Sequence, residues 1–463
     1  MQVVSETTAG VLDELLAALP DGVVVTGAEA VEKYRHDWSR DSSAGTPAAV
    51  VRAENAEQVQ AAVRWAAAHR VPVVPRGAGS GLSGGSSAVD GGIVVSLERM
   101  RAVEIDSLCQ VAVVEPGAFN KDVKVAAAAE GLWYPPDPSS FEICSIGGNV
   151  ATNAGGLCCV KYGVTTDYVL GLDVVLADGT LVSLGGKRIK DVAGLSLTKL
   201  FVGSEGTLGI VTRAILRLVP AQGARSTMVA TFPTVRAAAE AVVAIRTTMR
   251  PCLLELMDQA TVNAVEDFRP SGLDRTAGAL LIGQSDAPGE VRSGEIAAIR
   301  AACEAAGAAE CFVTDDAEDG ELFVQARRVA FNALEVRGSL LLEDVGVPIP
   351  LLPDLLGEIV AISAEHDVEI PTVAHAGDGN THPVIVYDSH DVDAERRART
   401  AFAQVMAAAI ALGGTITGEH GVGRAKAAAL PDQLGPDVMA LTRRIKDALD
   451  PDGILNPGAV LGG

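Results

Sequence analysis

Hydrophobic and polar positions along the first half of the chain predict alternating strands and helices. Residues 48–52 form a short apolar run that indicates a strand, and residues 56–69 place apolar side chains at helical spacing. Further runs of strand length follow at residues 71–75, 93–97, 111–114, 173–176, 181–184 and 210–218. Asp178-Gly179, between two of these runs, is typical of a hairpin turn. A short helix at residues 11–19 precedes this block.

The pattern begins anew near residue 225 and predicts a second domain. Strands are expected at residues 228–232 and 279–284, and helices at residues 235–247 and 290–306. A last helix is expected at residues 437–449. The fold class predicted is α+β. We expect the domains at residues 1–222 and 223–412, followed by a C-terminal segment at residues 413–463.

Composition and charge narrow the class of protein. The chain has 463 residues, 48% of them hydrophobic and 21% charged, as expected for a globular protein with more than one domain. Its formal net charge of −22 argues against nucleic acid and anionic membranes as partners. The first ten residues show no secretory signal, and the apolar stretch at 401–412 is too short to span a bilayer. We expect a cytoplasmic protein, with peripheral association with the inner membrane left open.

The seven cysteines carry no pattern of their own. None forms a C-x-x-C pair, and Cys158 and Cys159 are adjacent, which suits neither an ordinary disulfide nor a cluster. We therefore expect reduced thiols that act as small buried side chains, and no iron–sulfur centre.

A glycine-rich loop follows the strand predicted at residues 71–75. Residues 79–84 fit the pattern G-x-G-x-x-G, but the loop runs directly into the strand at residues 93–97. A Rossmann dinucleotide site needs a helix at this point, so that fold is rejected. Consecutive glycines can instead fold the backbone into a nest whose N–H groups face one anion, and Arg76 adds positive charge. A plain glycine turn remains an equal alternative for this loop alone.

Two more glycine clusters strengthen the ligand interpretation. Residues 146–156 include Gly147-Gly148 and Gly155-Gly156, and residues 203–210 include Gly206 and Gly209. Three glycine-rich loops in one domain indicate close backbone approach to a long, flat ligand that carries phosphate.

A second constellation offers metal ligands and a base. His375 and His382 flank a connection rich in Asp, Gly and Asn, which predicts a tight turn between two strands. With Glu419 they make a three-ligand set that leaves room for a substrate, as catalytic metal sites require. His420 is then the candidate base, with a further ligand or a structural role as alternatives. Either histidine of the pair, taken alone, is better explained as a buried hydrogen-bonded side chain. H-E-x-x-H is absent, which excludes a zincin protease.

These loops, in this order, resemble the FAD-binding domain of the vanillyl-alcohol oxidase and p-cresol methylhydroxylase superfamily. The His/Glu/His constellation resembles its D-2-hydroxyacid dehydrogenase branch, which includes glycolate oxidase catalytic subunits, D-lactate dehydrogenases and D-2-hydroxyglutarate dehydrogenases. The resemblance covers about residues 34–457 and implies a two-part FAD-binding domain with an inserted α+β substrate (cap) domain, to which residues 413–463 return. The residues that it implies at the cofactor are Arg76, Gly77, Ala78, Gly79, Ser80, Gly81, Gly147, Gly148, Thr152, Gly155, Gly156, Gly209, Ile210 and Asn456. The first loop has no histidine, so we expect non-covalent FAD.

The resemblance also implies the reaction. It favours Arg327 as the clamp for the substrate carboxylate, with Asn380 as a second contact, although an arginine on such a helix is more often a solvated surface charge. His420 takes the hydroxyl proton while hydride passes from the substrate α-carbon to flavin N5. Zinc fits the metal site best, with manganese and iron as alternatives.

One departure from the branch bears on the substrate. D-2-hydroxyglutarate enzymes carry a lysine before the Asp that ends a strand, whereas residues 340–344 of this chain contain no cation. We therefore favour D-lactate or glycolate over a dicarboxylate.

Rival functions remain open from the sequence. They are a D-2-hydroxyglutarate dehydrogenase, a non-redox flavin-dependent transferase of the same fold such as the alkylglycerone-phosphate synthases, and a non-catalytic subunit. The electron acceptor is left open among a quinone, a cytochrome and an electron-transfer flavoprotein. A homodimer is compatible with the sequence.

Overall fold

The computed structural model describes residues 6–41 and 43–462. Residues 1–5, part of the stretch that shows no secretory signal, lie outside the described residues. The chain divides into two compact units. The first unit comprises the described residues up to Ala154, then Val164–Ala221, then those from Glu419 onward. The second unit comprises Gly155–Gly163 and Gln222–Gly418.

The secondary structure alternates in type along the whole chain. The α-helices are α1 (Glu6–Ala18), α2 (Ala28–Glu32), α3 (Ala56–His69), α4 (Asn120–Ala129), α5 (Ile146–Thr152), α6 (Cys159–Tyr162), α7 (Leu197–Phe201), α8 (Val235–Thr248), α9 (Gln259–Phe268), α10 (Glu290–Ala305), α11 (Ala317–Arg328), α12 (Ala330–Glu335), α13 (Leu352–His366), α14 (Val392–Ala411) and α15 (Leu430–Leu449). The strands are β1 (Val24–Val25), β2 (Ala49–Arg52), β3 (Val73–Arg76), β4 (Ile93–Ser96), β5 (Val103–Asp106), β6 (Val111–Val114), β7 (Leu132–Trp133), β8 (Val169–Val175), β9 (Leu181–Gly185), β10 (Ile210–Arg217), β11 (Val219–Pro220), β12 (Ser226–Phe232), β13 (Leu253–Asp258), β14 (Ala279–Ser285), β15 (Glu310–Thr314), β16 (Ser339–Leu342), β17 (Val345–Gly346), β18 (Thr372–His375) and β19 (Asn380–Tyr387).

The first unit contains a small sheet in the order β1-β2-β4-β3, in which β4 runs parallel to β2 and β3. Both faces of its parallel strands are apolar, which explains their short continuous apolar runs. Helix α3 packs Val59, Val63 and Ala66 against one face, and Leu455 from the end of the chain joins the same core. The C-terminal segment is therefore part of the hydrophobic core of the first unit.

A second sheet of the first unit has the order β5-β6-β10-β8-β9. The predicted hairpin at Asp178-Gly179 is confirmed: β8 and β9 pair antiparallel, and Gly179 has a φ of +77°. Residues 146–152, predicted as a loop, instead form helix α5, so this prediction was wrong for the first half of the second glycine cluster. Ile146 and Val150 pack into the core, and that burial outweighs the low helix propensity of the two glycines.

The second unit is built on a long sheet in the order β15-β12-β14-β13-β18-β19-β16, with β17 pairing β19. Helices α11 and α12 cover one face through Val324, Ala330 and Leu334, which pack with Met257 and Val373 of the sheet. The predicted strands and helices between residues 228 and 306 are confirmed, each to within two residues at either end. At one end of its apolar face, this sheet carries the predicted site residues His375, Asn380 and His382.

None of the helices among the described residues combines the length and the apolarity needed to cross a lipid bilayer. The interior of both units is made largely of small aliphatic side chains, with Cys144, Cys252 and Cys303 buried among them.

Candidate functional site

The first glycine-rich loop joins β3 to β4. No helix forms among residues 77–92, all of which the structure describes, as the rejection of a Rossmann fingerprint predicted. Gly79 has a φ of +73°, and a Cβ there would lie 2.0 Å from the Arg76 guanidinium that packs beneath the loop. Among the residues that the structure describes, the backbone N–H groups of residues 79–82 have no hydrogen-bond acceptor. A half-buried row of N–H groups without acceptors is suited to an anion.

Helix α5 begins beside this loop. Ser145 is its N-cap, and the Ser145 Oγ accepts hydrogen bonds from the N–H groups of Gly148 at 3.4 Å and Ala78 at 3.1 Å. A Cβ on Gly77 would lie 2.2 Å from this oxygen, so the loop and the helix can approach only because residue 77 is glycine. One serine thereby joins the loop to the helix N-terminus, where partial positive charge also favours an anion.

A buried carboxylate holds the C-terminal segment of the first unit. Glu205 accepts hydrogen bonds from the backbone N–H groups of Val422 at 2.7 Å and Gly423 at 2.8 Å. Asn456 Nδ2 donates to the carbonyl oxygens of Glu205 at 2.7 Å and Gly85 at 2.8 Å. We call this arrangement of Glu205, Val422, Gly423 and Asn456 the Glu205 anchor. It joins the three chain segments that make up the first unit, because its hydrogen bonds link Gly85, Glu205 and the C-terminal residues Val422, Gly423 and Asn456.

The Glu205 anchor contains a carboxyl group with a raised pKa and two residues with left-handed backbone. Burial raises the pKa of the Glu205 carboxyl to about 7, although its two N–H donors act in the opposite direction. Glu205 has a φ of +50° and Asn456 a φ of +42°, and residues other than glycine rarely occupy this left-handed region. Such backbone persists where surrounding contacts hold it, and it is frequent at functional sites.

The remaining predicted cofactor residues lie in different surroundings. Thr152 Oγ1 donates back to Gly148 O within α5. Gly209 is explained by packing, because a Cβ there would lie 2.5 Å from Val174 Cγ1, and the side chain of Ile210 is buried in the core. The segment that contains Gly155 and Gly156 belongs to the second unit, unlike the other glycine-rich segments.

In the second unit, strand register places three predicted residues on one face of the sheet. His375 of β18 lies opposite Asn380 of β19, and His382 follows two positions later on the same strand. Opposed residues and residues two apart share a face, so all three side chains project together. The rings of His375 and His382 lie 5.1 Å apart between centroids, and both are buried. The predicted proximity of the two histidines is confirmed.

A glutamate on the neighbouring strand accompanies His375. In the register of β13 and β18, Leu256 lies opposite Ala374, so Glu255 comes across from His375. The Glu255 carboxylate oxygens lie 2.8 Å and 2.9 Å from His375 Nδ1. Glu255 Oε2 also lies 2.9 Å from the Nε of Arg327, and both side chains are 1% exposed. Arg327 at the end of α11 is thus a buried partner of the sheet, which differs from a solvated surface charge.

An aspartate lies near His382, at a longer distance than Glu255 from His375. Asp344 Oδ1 lies 3.6 Å from His382 Nδ1, and Asp344 Oδ2 accepts a hydrogen bond of 2.7 Å from Thr417 Oγ1. The backbone O of Asp344 accepts from the N–H of Gly418. Gly418 packs against the Asn380 amide so closely that a Cβ on it would lie within 2.5 Å of all three amide atoms. The second unit therefore ends on a glycine held beside the predicted site.

Glu419 and His420 belong to the first unit and follow Gly418 directly in the chain. Their side chains are largely buried, with His420 Nε2 3.9 Å from Glu419 Oε1. The backbone O of His420 accepts a hydrogen bond from Ser83 Oγ, and residues 421–423 wrap the Glu205 carboxylate. The predicted ligand and the predicted base are thus fixed at the start of the segment that the Glu205 anchor holds.

Sequence reasoning missed three buried carboxylates at these sites: Glu205, Glu255 and Asp344. Each carries a charge that is costly to bury unless hydrogen bonds or ion pairs compensate it. A charged residue in an otherwise apolar run, such as Glu255 between Leu254 and Leu256, was the available signal.

The residues present fit both a flavin dinucleotide and a divalent metal ion. The glycine loop offers backbone N–H groups without acceptors to a pyrophosphate, and glycines supply the close backbone approach. In the second unit, a carboxylate lies within hydrogen-bond distance of His375 Nδ1, which is the arrangement typical of metal-ligating imidazoles, and the Asp344 carboxylate lies 3.6 Å from His382 Nδ1. Asn380 Oδ1 is buried and has no hydrogen-bond partner among the described residues.

Two protein families and several known proteins are similar to this chain. The family described as "FAD binding domain" matches residues 47–185, and the family described as "FAD linked oxidases, C-terminal domain" matches residues 221–460. The chain is 42% identical over 415 residues to the glycolate oxidase subunit GlcD of Bacillus subtilis, covering 89% of this chain and 88% of that protein. It is 35% identical over 416 residues to a D-lactate dehydrogenase of Archaeoglobus fulgidus, covering 89% and 91%. A solved structure of p-cresol methylhydroxylase shares the fold, with a TM-score of 0.83, 18% identity, and coverage of 99% and 98%.

Proposed function

The chain belongs to the family of FAD-linked oxidases, in the branch of the FAD-linked D-2-hydroxyacid dehydrogenases, and from this membership we propose its substrate, metal and base. The proposed reaction is the metal-assisted oxidation of a monocarboxylic D-2-hydroxyacid, D-lactate or glycolate, to the 2-oxoacid. The first unit is the FAD-binding part, and the second unit is the substrate domain.

The observation that carries this proposal is the buried cluster on the second unit's sheet. The rings of His375 and His382 lie 5.1 Å apart. Glu255 lies 2.8 Å from His375 Nδ1 and is also the partner of the buried Arg327, and Asp344 lies 3.6 Å from His382 Nδ1. Two imidazole ligands favour zinc, manganese or iron over magnesium or calcium, and zinc is the first candidate. A cation beside this pair would supply positive charge for the carboxylate of a 2-hydroxyacid.

Arg327 is the proposed clamp for the substrate carboxylate. A guanidinium matches a carboxylate with two parallel N–H donors, and anchoring Arg327 through Nε to Glu255 fixes the plane of that fork. Asn380 is the proposed second contact, because its amide projects from the same sheet face as the histidines.

Glu419 is the proposed third metal ligand and His420 the base. Both follow Gly418, which is hydrogen-bonded to Asp344 and packed against the Asn380 amide. A bound divalent metal would act as a Lewis acid that lowers the pKa of the substrate hydroxyl. Bound FAD would accept a hydride equivalent from the substrate α-carbon. His420, as a neutral imidazole, takes the hydroxyl proton.

The preference for a monocarboxylate follows from the strand that leads to Asp344. Leu342 ends β16 without a cation, and the next two residues, Glu343 and Asp344, are fully buried carboxyl side chains. A second substrate carboxylate would meet negative charge here and would lack a partner. D-2-hydroxyglutarate is therefore the expected poor substrate.

On the FAD side, we propose that residues 76–81 bind the pyrophosphate through the backbone N–H groups described above. Gly147 and Gly148 at the start of α5, together with Thr152, Gly155, Gly156, Gly209, Ile210 and Asn456, complete the proposed set. We expect FAD to be held without a covalent bond, since residues 76–85 contain no histidine.

An anaerobic visible spectrum tests the proposal directly. The purified protein should show a flavin spectrum that bleaches with D-lactate or glycolate and much less with D-2-hydroxyglutarate. Removal of divalent metal with a chelator should abolish bleaching without releasing the flavin, and added Zn²⁺ should restore it. A flavin that stays oxidised with all three acids, with metal present, would favour the non-redox transferase. The electron acceptor can then be assigned by reoxidising the bleached flavin with a quinone, a cytochrome or an electron-transfer flavoprotein.

A further inference from the structure

One buried carboxylate contacts two residues that have different proposed tasks. Glu255 lies on β13 with its oxygens 2.8 Å and 2.9 Å from His375 Nδ1 and 2.9 Å from Arg327 Nε. We propose that Glu255 is a positioning residue that sets the metal ligand His375 and the substrate clamp Arg327 together. This inference rests on the proposed function, which assigns the tasks of those two residues.

The chemistry of the three groups determines what Glu255 does. A carboxylate accepts hydrogen bonds and donates none, so the facing His375 Nδ1 must carry a proton. The lone pair of the neutral ring is then on Nε2, and Nε2 becomes the nitrogen that can ligate a metal. Arg327 is held through Nε, and this fixes the plane in which its terminal nitrogens can face a carboxylate.

The packing around Glu255 argues against a purely structural role. Leu253 and Met257, two positions away on the same face of β13, are buried apolar residues of the core, as is Val373 on β18. An apolar side chain at residue 255 would continue this core and would avoid burying an ion pair, which is often neutral or unfavourable for stability. The contacts to His375 and Arg327 give the charged residue a use that packing alone does not.

The test is the variant Glu255→Gln in the full-length flavoprotein, with Zn²⁺ as the probe. Glutamine keeps the size but has one acceptor oxygen for two donors. In competition with a chromophoric chelator, we expect the dissociation constant for Zn²⁺ to rise about 10–100-fold. We also expect the KM for D-lactate to rise about 10-fold, because the ion pair that orients Arg327 is lost. A role in stability alone would change thermal unfolding but neither of these quantities.

Glu266→Gln is the matched control. Glu266 is a buried glutamate of the same unit, and its Oε1 accepts from the backbone N–H groups of Ser271 and Leu273. This variant should lower the unfolding temperature while leaving Zn²⁺ affinity and KM unchanged. Equal losses of Zn²⁺ affinity in both variants would overturn the proposal, as would a Glu255→Gln protein with wild-type values of both quantities.

A double variant separates the two contacts. In an Arg327→Lys background, Glu255→Gln should raise KM by much less than it does in the wild type, while its full effect on Zn²⁺ affinity remains. If Glu255→Gln does not fold, Glu255→Asp keeps the charge on a shorter side chain and should shift both quantities in the same directions by less. A wild-type protein that binds no Zn²⁺ and is insensitive to chelator would defeat the proposed metal site itself, and that result is distinct from a failure of Glu255 alone.

Discussion

The two units carry their candidate sites in different chemical forms. In the first unit, the glycine-rich loop offers backbone N–H groups, and the nearby polar side chains such as Ser145 and Asn456 mostly hold the backbone in place. In the second unit, the sheet face presents side chains, and Glu255 contacts both His375 and Arg327 in the core. The first arrangement suits a long ligand that is bound by backbone N–H groups of the protein, and the second suits a small ligand with defined charges.

This difference decides what a substitution can do. A site made of backbone groups is damaged by adding atoms where the chain must approach closely, and much less by removing a side chain. A site made of buried charges is damaged by removing one partner, which leaves the other charge uncompensated. The backbone site of the first unit is therefore tested best by adding a side-chain atom, and the charged site of the second unit by removing a partner.

His420 is the exception in the first unit, because its proposed task is carried out by a side chain and not by the backbone. His420→Ala should lower kcat by about 10²–10⁴-fold, the usual contribution of a general base, while flavin content and Zn²⁺ affinity stay unchanged. Stopped-flow measurement of flavin reduction by D-lactate gives the rate. The exposed His390→Ala is the control. A loss of Zn²⁺ affinity in His420→Ala would identify His420 as a ligand instead.

Arg327→Lys tests the dependence of the second unit on one buried charged side chain. Lysine keeps the charge but loses the planar fork, so we expect kcat/KM for D-lactate to fall by about 10–100-fold, mainly through KM. Steady-state kinetics with D-lactate measures the change. The neighbouring Arg328→Lys serves as the control and should retain wild-type KM. An unchanged KM in Arg327→Lys would remove Arg327 from the substrate site.

Gly77→Ala applies the opposite kind of change in the first unit, because it adds one methyl group. A Cβ at residue 77 would lie 2.2 Å from Ser145 Oγ, so the loop or the helix must shift. We expect the dissociation constant for FAD to rise at least about 10-fold, as measured by flavin fluorescence on titrating the apoprotein. Gly27→Ala in the same unit has no atom within 4 Å of the added carbon and should bind FAD normally.

The smallest expected effect concerns the pH dependence of stability at the Glu205 anchor. Burial raises the pKa of Glu205 to about 7 from an ordinary 4.5, so the folded protein binds this proton more tightly than the unfolded chain. The resulting stability is fully present below pH 4.5 and is lost as pH rises through about 7. Glu205→Gln cannot titrate, so the fall in unfolding temperature between pH 5 and pH 8 should be smaller than in the wild type, by roughly 2–5 °C.

Asp258 provides the comparison in the second unit. Burial raises the pKa of its carboxyl to about 6 from an ordinary 3.8, so Asp258→Asn should reduce the pH dependence of the unfolding temperature in the same direction and at lower pH.

Differential scanning calorimetry measures the unfolding temperature across this pH range. Identical pH profiles for wild type and Glu205→Gln would show that Glu205 titrates normally.

The parts of the fold that depend on local periodicity could be predicted from the sequence. Helix α3 and strand β6 were predicted with the bounds that they have, because apolar spacing and flanking polar residues indicate them directly. Helix α5 could not, since two glycines in its first turn indicate a loop. Its capping serine and the burial of Ile146 and Val150 favour a helix only in the tertiary context.

The candidate metal ligands could be predicted from the sequence better than the carboxylates that contact them. His375 and His382 stand on either side of a turn signal, so their proximity follows from the chain itself. The partnership of Glu255 with His375 depends on which strand pairs with β18, across 120 residues of sequence. The apolar run around Glu255 indicates a buried charge, but nothing local identifies its partners. The same holds for Glu205, whose donors lie 217 and 218 residues away.

The placement of the C-terminal segment in the first unit has a consequence for biosynthesis. Val73 N–H donates to Ile454 O, Asn456 N–H donates to Val73 O, and Leu455 is fully buried in the same core. A ribosome that has translated β3 must add more than 370 further residues before these partners exist, which at about 5–20 residues per second takes roughly 20–75 s. During that interval the nascent first unit exposes an open sheet edge, whereas the second unit has all its segments once residue 418 has emerged. We therefore expect the second unit to reach protease resistance on the ribosome before the first.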